Sequence, residues 1–225
     1  MNAGLIVAAG KSERMGPTAD KAFLNLGSKP VIAYSVIAYE RCPDIDTIVL
    51  VVRKDRVDAA RAMAKIYGCA KVLKVVAGGA SRQVSVANGL DVVGDETRIV
   101  SVHDGARPCV TPQLISETIA VARKHGSGVA AYKITDTVKH VERGVKVTRT
   151  MDRSKLWAVQ TPQTFKFEIL SKAYEFVKKK KLSVTDDAQA VESIDGEVRL
   201  VPAPLSNMKI TCPDDLVLAT ILLGL

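Results

Sequence analysis

Leu5-Ile6-Val7-Ala8-Ala9-Gly10-Lys11-Ser12-Glu13-Arg14-Met15-Gly16, followed by Asp20-Lys21, is the stretch that decides the fold. A short apolar run ending in two alanines and a glycine predicts a buried strand that turns sharply at its carboxyl end. Side chains this small let a ligand lie against the backbone itself. Lys11, Arg14 and Lys21 follow within one loop, and exposed N–H groups beside cations suit a polyphosphate. An ordinary strand-to-loop turn with solvated basic residues is the plainer reading, and the stretch by itself tips toward phosphate. The glycines at 10 and 16 are not followed by Lys-Ser/Thr, which excludes a Walker A loop. No Gly-x-Gly-x-x-Gly follows the strand either, so a dinucleotide fingerprint is excluded.

Outward from this loop the chain alternates between strand and helix patterns. Pro30 suits the first turn of a helix reaching about Glu40. Thr47–Val52 is a continuous β-branched run, expected as a central strand covered on both faces. Val57, Ala60, Ala64 and Tyr67 keep helical spacing, and Val72–Val76 predicts a third strand ending in Ala77-Gly78-Gly79. The glycine pair would bring a second set of close-approach backbone groups to the same sheet edge, before a helix over 81–90. Ile99–Val102 predicts a fourth strand ending in His103-Asp104-Gly105-Ala106-Arg107-Pro108. Ligands of open α/β sheets sit outside the carboxyl ends of strands, so Asp104 and Arg107 are candidate site residues. His103 fits a packed histidine as well.

Up to His125 the alternation predicts a parallel, doubly wound sheet. Beyond it, Val129–Ile134 can form another strand, while 136–142 and 145–150 read as a polar hairpin turning at Gly144. An isolated hairpin is marginal in water, which favours an arm over about 135–150 that pairs with a second subunit; a surface excursion is the alternative. A helix follows around Ile169–Val177, Thr185-Asp186-Asp187 resembles an N-cap with an acidic first turn, and Val198–Val201 predicts a late strand. Asn207–Thr211 could form a further strand, and Pro213 opens a C-terminal helix.

Composition narrows the class. A length of 225 residues suits one domain spanning 1–225. No apolar run approaches the ~20 residues of a membrane span, and the first residues lack a signal-peptide pattern, so a cytoplasmic protein is expected. Four scattered cysteines without Cys-x-x-Cys spacing fit free thiols in a reducing compartment. The net charge of +8 admits nucleic acid, an acidic membrane or phosphorylated small molecules. Aromatic residues make up only 4% of the chain, which leaves few stacking platforms for bases. The run Lys178–Lys181 suits a solvated helix end.

Taken together, several motifs resemble the 2-C-methyl-D-erythritol 4-phosphate cytidylyltransferase family of the non-mevalonate isoprenoid route. They are Ala8-Ala9-Gly10 with Arg14-Met15-Gly16 and Lys21; Gly78-Gly79 with Arg82-Gln83 and Ser85-Val86; and His103 through Pro108. Asp136-Thr137, Asp152-Arg153, Gln160-Thr161-Pro162-Gln163, Thr185 through Ala188, and Lys209 before Thr211 complete the series. The resemblance implies a Rossmann-like, mostly parallel sheet flanked by helices, with the hairpin as a dimerisation arm. It implies that CTP lies over the first loop, with Ala8, Ala9, Gly10, Gly79 and Ser85 at the base and Asp104 and Gly105 near the ribose and phosphates. Arg14 and Lys21 would stabilise the transition state, joined by Arg153 and Lys209. Methylerythritol phosphate would be held by Thr137, Arg153 and Lys209, with Arg107 and Thr137 reaching across a homodimer. Magnesium would be held mainly by the CTP phosphates, with Asp104 the nearest carboxylate and no dedicated protein ligand set. Neither nucleic acid nor membrane is implied. A ribitol-5-phosphate cytidylyltransferase shares the nucleotide motifs and is the alternative.

Such chemistry needs no activated side-chain nucleophile, because the phosphate monoester of the acceptor is already one. The obstacle is the approach of two polyanions, so cations and positioning dominate. The chain departs from the family at Asp20-Lys21-Ala22, where Pro-Lys-Gln is usual, and at Ala80, where an acid is common. Asp20 is expected to add negative charge near the triphosphate.

Overall fold

The structure is a computed structural model that describes residues 1–10 and 20–225. In chain order its elements are β1 (Asn2–Ala8), the short hairpin β2 (Asn25–Leu26) and β3 (Lys29–Pro30), α1 (Val31–Arg41), β4 (Thr47–Val52), α2 (Val57–Ile66) and β5 (Val72–Ala77). Then come α3 (Arg82–Leu90), β6 (Ile99–Asp104), α4 (Pro112–His125), β7 (Ser127–Lys133), and a second hairpin of β8 (Lys139–Val141) and β9 (Val147–Thr150). β10 (Trp157–Lys166), α5 (Phe167–Lys180), α6 (Asp187–Glu192), β11 (Leu200–Pro202) and α7 (Pro213–Leu223) complete the chain.

One seven-stranded sheet has the order β11-β7-β10-β6-β1-β4-β5. Its pairs are parallel except where β10 runs antiparallel between β6 and β7. The alternating side chains of each strand divide the core into two halves. Ile6, Ile48, Leu50 and Val52 face α1, α2 and α4. Leu5, Val7, Val49 and Val51 face α3, α5 and α6. Helices on both faces explain why the β4 run lacks polar alternation. Burying each such aliphatic side chain stabilises the fold by about 1.5–3 kcal/mol.

Local chemistry sets the helix ends. Ser81 caps α3 by accepting from the N–H of Val84, and Thr111 caps α4 by accepting from Leu114, with Pro112 in the first turn. Asp186 caps α6 through the N–H of Gln189. The four lysines at 178–181 occupy the end of α5 and are solvated, as expected.

Three elements differ from the sequence reading. β10 has no counterpart in it. Residues 207–211 are not a strand; the segment is an extended passage tied to the sheet edge by the N–H of Ile210 on the carbonyl of Ala106, 2.8 Å away. The late strand begins at Leu200 rather than Val198. The expected hairpin is present as β8–β9, a separate two-stranded sheet with Val145 95% exposed. Its turn places Gly144 at a φ of +60°.

Candidate active site

The carboxyl ends of β1, β4, β5 and β6 open into one cleft of about 960 Å³. Its floor is backbone and small side chains: Val7 to Gly10 from the end of β1, and Gly78 to Ser81 from the turn before α3. Packing between the loops enforces the smallness. A Cβ on Gly78 would collide with the Cβ of Ala9 and stand 2.7 Å from the hydroxyl of Ser85, and one on Gly105 would stand 3.0 Å from the Cβ of Ala8. Ser85, 1% exposed, accepts from the N–H of Gly79 at 3.1 Å and donates to the carbonyl of Ser81 at 2.8 Å. Its hydroxyl therefore shapes the glycine turn and is already committed.

Cations ring this floor. Lys21 and Lys209 line the cleft, as does Arg82, and Arg53 and Lys54 enter from the end of β4. Arg53 and Lys54 were not singled out from sequence, although they follow a strand's carboxyl end as Lys11 does, and Arg82 was read only as part of a motif, with no role assigned. Arg53 is forked onto Asp55 at 3.0 Å. Arg14, with Lys11, lies outside the described residues.

Asp104, at the end of β6, sits between two cations. Arg82 Nε lies 3.0 Å from its Oδ1 and Lys209 Nζ 2.6 Å from its Oδ2. Burial works to raise its pKa, but the neighbouring Arg82 and Lys209 outweigh burial and hold the carboxyl far below the usual range. The backbone N–H of Asp104 donates to Thr161 Oγ1 at 3.0 Å.

His103 is fully buried. Its Nε2 faces the carbonyl of Arg107 at 3.3 Å and its Nδ1 the hydroxyl of Thr161 at 3.0 Å. A ring nitrogen facing a carbonyl must carry the proton, so Nδ1 accepts from Thr161. Burial lowers its pKa to about 3, so the ring is neutral. The packed-histidine reading holds, and with it no general base points into the cleft from His103.

The residues expected to hold the acceptor are not gathered in this cleft, apart from Lys209. Arg107 is mostly buried and donates from Nη1 to the carbonyl of Asn207 at 2.8 Å. Burial presses its pKa down against the pull of Asp104. Thr137 and Arg153 are exposed near the base of the hairpin, with Arg153 donating to the carbonyl of Thr135 at 2.6 Å.

Asp20 behaves differently from expectation. Its side chain is 4% exposed and pairs with Arg56 Nε at 3.0 Å, so it turns away from the cleft and its charge is offset. Ala80 lines the cleft without a carboxylate.

Among the described residues no group of three or more His, Cys, Asp or Glu could hold a metal. Asp104 has both oxygens in ion pairs. This donor set thus does not fit a metal held by the described residues alone.

The family model IspD, 2-C-methyl-D-erythritol 4-phosphate cytidylyltransferase, matches residues 3–224. The chain belongs to this family. A 2-C-methyl-D-erythritol 4-phosphate cytidylyltransferase of Dehalococcoides mccartyi is 42% identical over 219 residues, covering 97% of this chain and 94% of that one. The Alkaliphilus oremlandii protein of the same name is 38% identical over 216 residues, covering 96% and 92%. The crystal structure of 4-diphosphocytidyl-2C-methyl-D-erythritol synthase from Anaerococcus prevotii superposes with a TM-score of 0.88 at 30% identity, over 100% of this chain and 99% of that one. The corresponding Thermus thermophilus cytidylyltransferase gives 0.81 at 29% identity, covering 98% of each chain. The Rossmann-like, mostly parallel sheet read from the sequence is the fold of this family. The ribitol-phosphate alternative is not favoured, since these relatives are all named for methylerythritol phosphate chemistry.

Proposed function

We propose that the protein transfers the cytidylyl group of CTP to 2-C-methyl-D-erythritol 4-phosphate, giving 4-diphosphocytidyl-2-C-methyl-D-erythritol and pyrophosphate within the non-mevalonate isoprenoid pathway. The observation that carries this reading is a backbone-floored cleft ringed by cations, in which the described hydroxyl and imidazole are already committed. Such a site suits a reaction whose nucleophile arrives with the substrate.

In this reading the cytosine rests against Ala8, Ala9, Gly10, Gly78 and Gly79, with Ser85 keeping the glycine turn in place. Asp104 and Gly105 border the ribose and phosphates. The acceptor phosphate attacks the α-phosphorus in line, the bond to the β-phosphate oxygen breaks, and pyrophosphate departs. Lys21 and Arg14 receive the charge that develops on the phosphates, and Lys209 steers the incoming phosphate. Bound magnesium would offset phosphate charge, carried by the triphosphate. Thr137 and Arg153, with Arg107, would complete the acceptor pocket across a homodimer built on the β8–β9 arm. Four free cysteines suit a cytoplasmic setting, and among the described residues no helix is long and apolar enough to cross a membrane.

The test is a pyrophosphate-release panel crossing CTP, UTP, ATP and GTP with methylerythritol, ribitol and glucose phosphates. Release confined to CTP with methylerythritol phosphate is expected. Equal release with ribitol phosphate would overturn the acceptor assignment, and indifference to the base would overturn the nucleotide assignment.

A further inference from the structure

Asp187 is fully buried, yet it lies one residue from the cleft wall through Arg82. Arg82 Nη2 reaches Asp187 Oδ2 at 2.7 Å while its Nε holds Asp104 Oδ1 at 3.0 Å. Asp104 Oδ2 in turn holds Lys209 Nζ at 2.6 Å. Behind Asp187, the hydroxyl of Tyr174 on α5 donates to Oδ1 at 2.6 Å, so both carboxylate oxygens are fixed. Helix α6 is pinned as well. The Gln163 amide donates to Asp186 at 2.9 Å and accepts from the N–H of Ala188 at 2.9 Å. The chain Tyr174–Asp187–Arg82–Asp104–Lys209 thus runs from the core to the cleft across four elements and the segment before α7.

We propose that Asp187 is a positioning residue for the transfer reaction, acting through Arg82 to fix the Asp104 carboxylate and thereby Lys209. The inference rests on the cytidylyl-transfer reading. Two consequences of the geometry support it. Arg82 forked between two carboxylates has little freedom to turn into the cleft, so its charge is not offered to the triphosphate. Lys209 is then left as the cation whose partner, Asp104, is shared. Burial by itself would lower the pKa of Arg82, but Asp187 and Asp104 together raise it, so the guanidinium keeps its charge inside the wall. A residue that only capped or filled α6 would have no reason to be a carboxylate aimed at a cleft arginine, since Asp186 already supplies the cap.

Asp187→Asn keeps the size and removes the charge. Arg82 is then released toward the triphosphate, strengthening ground-state binding while Asp104 and Lys209 lose their alignment. The expected result is kcat reduced by about 10–100-fold, since a misplacement of about 1 Å remote from the chemistry can cost 10²-fold, with KM for CTP lowered rather than raised. A purely structural defect would instead lower kcat only in proportion to the folded fraction seen by circular dichroism, at unchanged KM, and that outcome overturns the proposal. In an Arg82→Gln background, Asp187→Asn should add little further loss; full additivity would also overturn it. If Asp187→Asn does not fold, Arg82→Lys, which cannot fork between the two acids, takes its place and must show the same kcat and KM pattern for the proposal to stand. Wild-type protein that releases no pyrophosphate from CTP and methylerythritol phosphate would instead refute the functional reading.

Discussion

His103 should make the protein lose stability on mild acidification, and the size of the loss follows from its surroundings. The imidazole is 0% exposed, and burial holds its pKa at about 3, against about 6.5 in the unfolded chain. Both ring nitrogens are used in the neutral form, Nε2 toward the Arg107 carbonyl and Nδ1 toward Thr161, so a proton on Nδ1 would turn that acceptor into a second donor. The unfolded state therefore takes up the proton first. Stability from this group is fully present above pH 6.5 and is lost as pH falls from there toward 3. Between pH 7 and pH 5 the linkage amounts to about 2 kcal/mol. For a chain of 225 residues that corresponds to a Tm lower by about 4–8 °C. Carboxylates that titrate in the same range contribute their own slope, so the comparison is with His103→Gln, which keeps a donor and an acceptor without a titrating ring. Thermal unfolding followed by circular dichroism should show the wild type losing about 4–8 °C more than the variant between pH 7 and pH 5. Parallel curves for the two proteins would refute the buried, neutral assignment.

Lys21→Ala and Arg14→Ala should each lower kcat by about 10²–10³-fold, as removal of one preorganised charge contact does; single-turnover pyrophosphate release measures this, and near-normal turnover in both would remove the loop from transition-state stabilisation. Gly78→Ala drives a methyl group into Ala9 and Ser85, so the two loops must part. KM for CTP, measured on the folded protein, should rise by at least tenfold, or about 1.4 kcal/mol of binding, and Tm should fall as overpacking costs about 1–3 kcal/mol, whereas an unchanged KM would remove Gly78 from the nucleotide floor. Replacing residues 138–150 by a short flexible linker should turn a dimer into a monomer in sedimentation velocity and abolish turnover with methylerythritol phosphate. A monomeric wild type, or a fully active armless variant, would contradict the proposed arm.

The central strands were legible because burial on two faces leaves an unmistakable composition. Thr47–Val52 is a strand with the very limits its β-branched run suggested. The small-residue floor was legible for a related reason: Ala8-Ala9 and Gly78-Gly79 stand at the ends of apolar strands, where a side chain on Gly78 or Gly79 would collide with Ala9, Val84 or Ser85. What failed depends on distance along the chain. Asp20 looked like a repulsive charge beside Lys21, and only folding brings Arg56 to it. Asp104 was legible as a candidate site residue but its partners were not, because Arg82 and Lys209 lie 22 and 105 residues away. Residues 207–211 have a strand-like pattern but no strand to pair with, because Asn207 is held by Gln160 and Thr161 instead.

The hidden strand explains much of the rest. β10 carries Gln160, Thr161, Pro162 and Gln163, and a proline among polar residues argues against a central strand. Its register against β7 shifts between Val159 and Gln163, and this irregularity changes what the strand can present. Because helices cover both faces of the sheet, Gln160, Thr161 and Gln163 are buried whichever face they take, at 4%, 3% and 2% exposed. Each fixes a different part of the site. Gln160 holds Asn207 at the approach to Lys209, Thr161 holds the backbone of Asp104 and the ring of His103, and Gln163 holds the start of α6 that carries Asp187. Three residues of β10 between Val159 and Gln163 stand opposite a single residue of β7, two more than a regular ladder holds. Such a bulge bends a strand and re-aims its side chains, so the polar, proline-containing irregularity that hid β10 in the sequence is the same feature that lets one antiparallel strand brace three segments around the cleft.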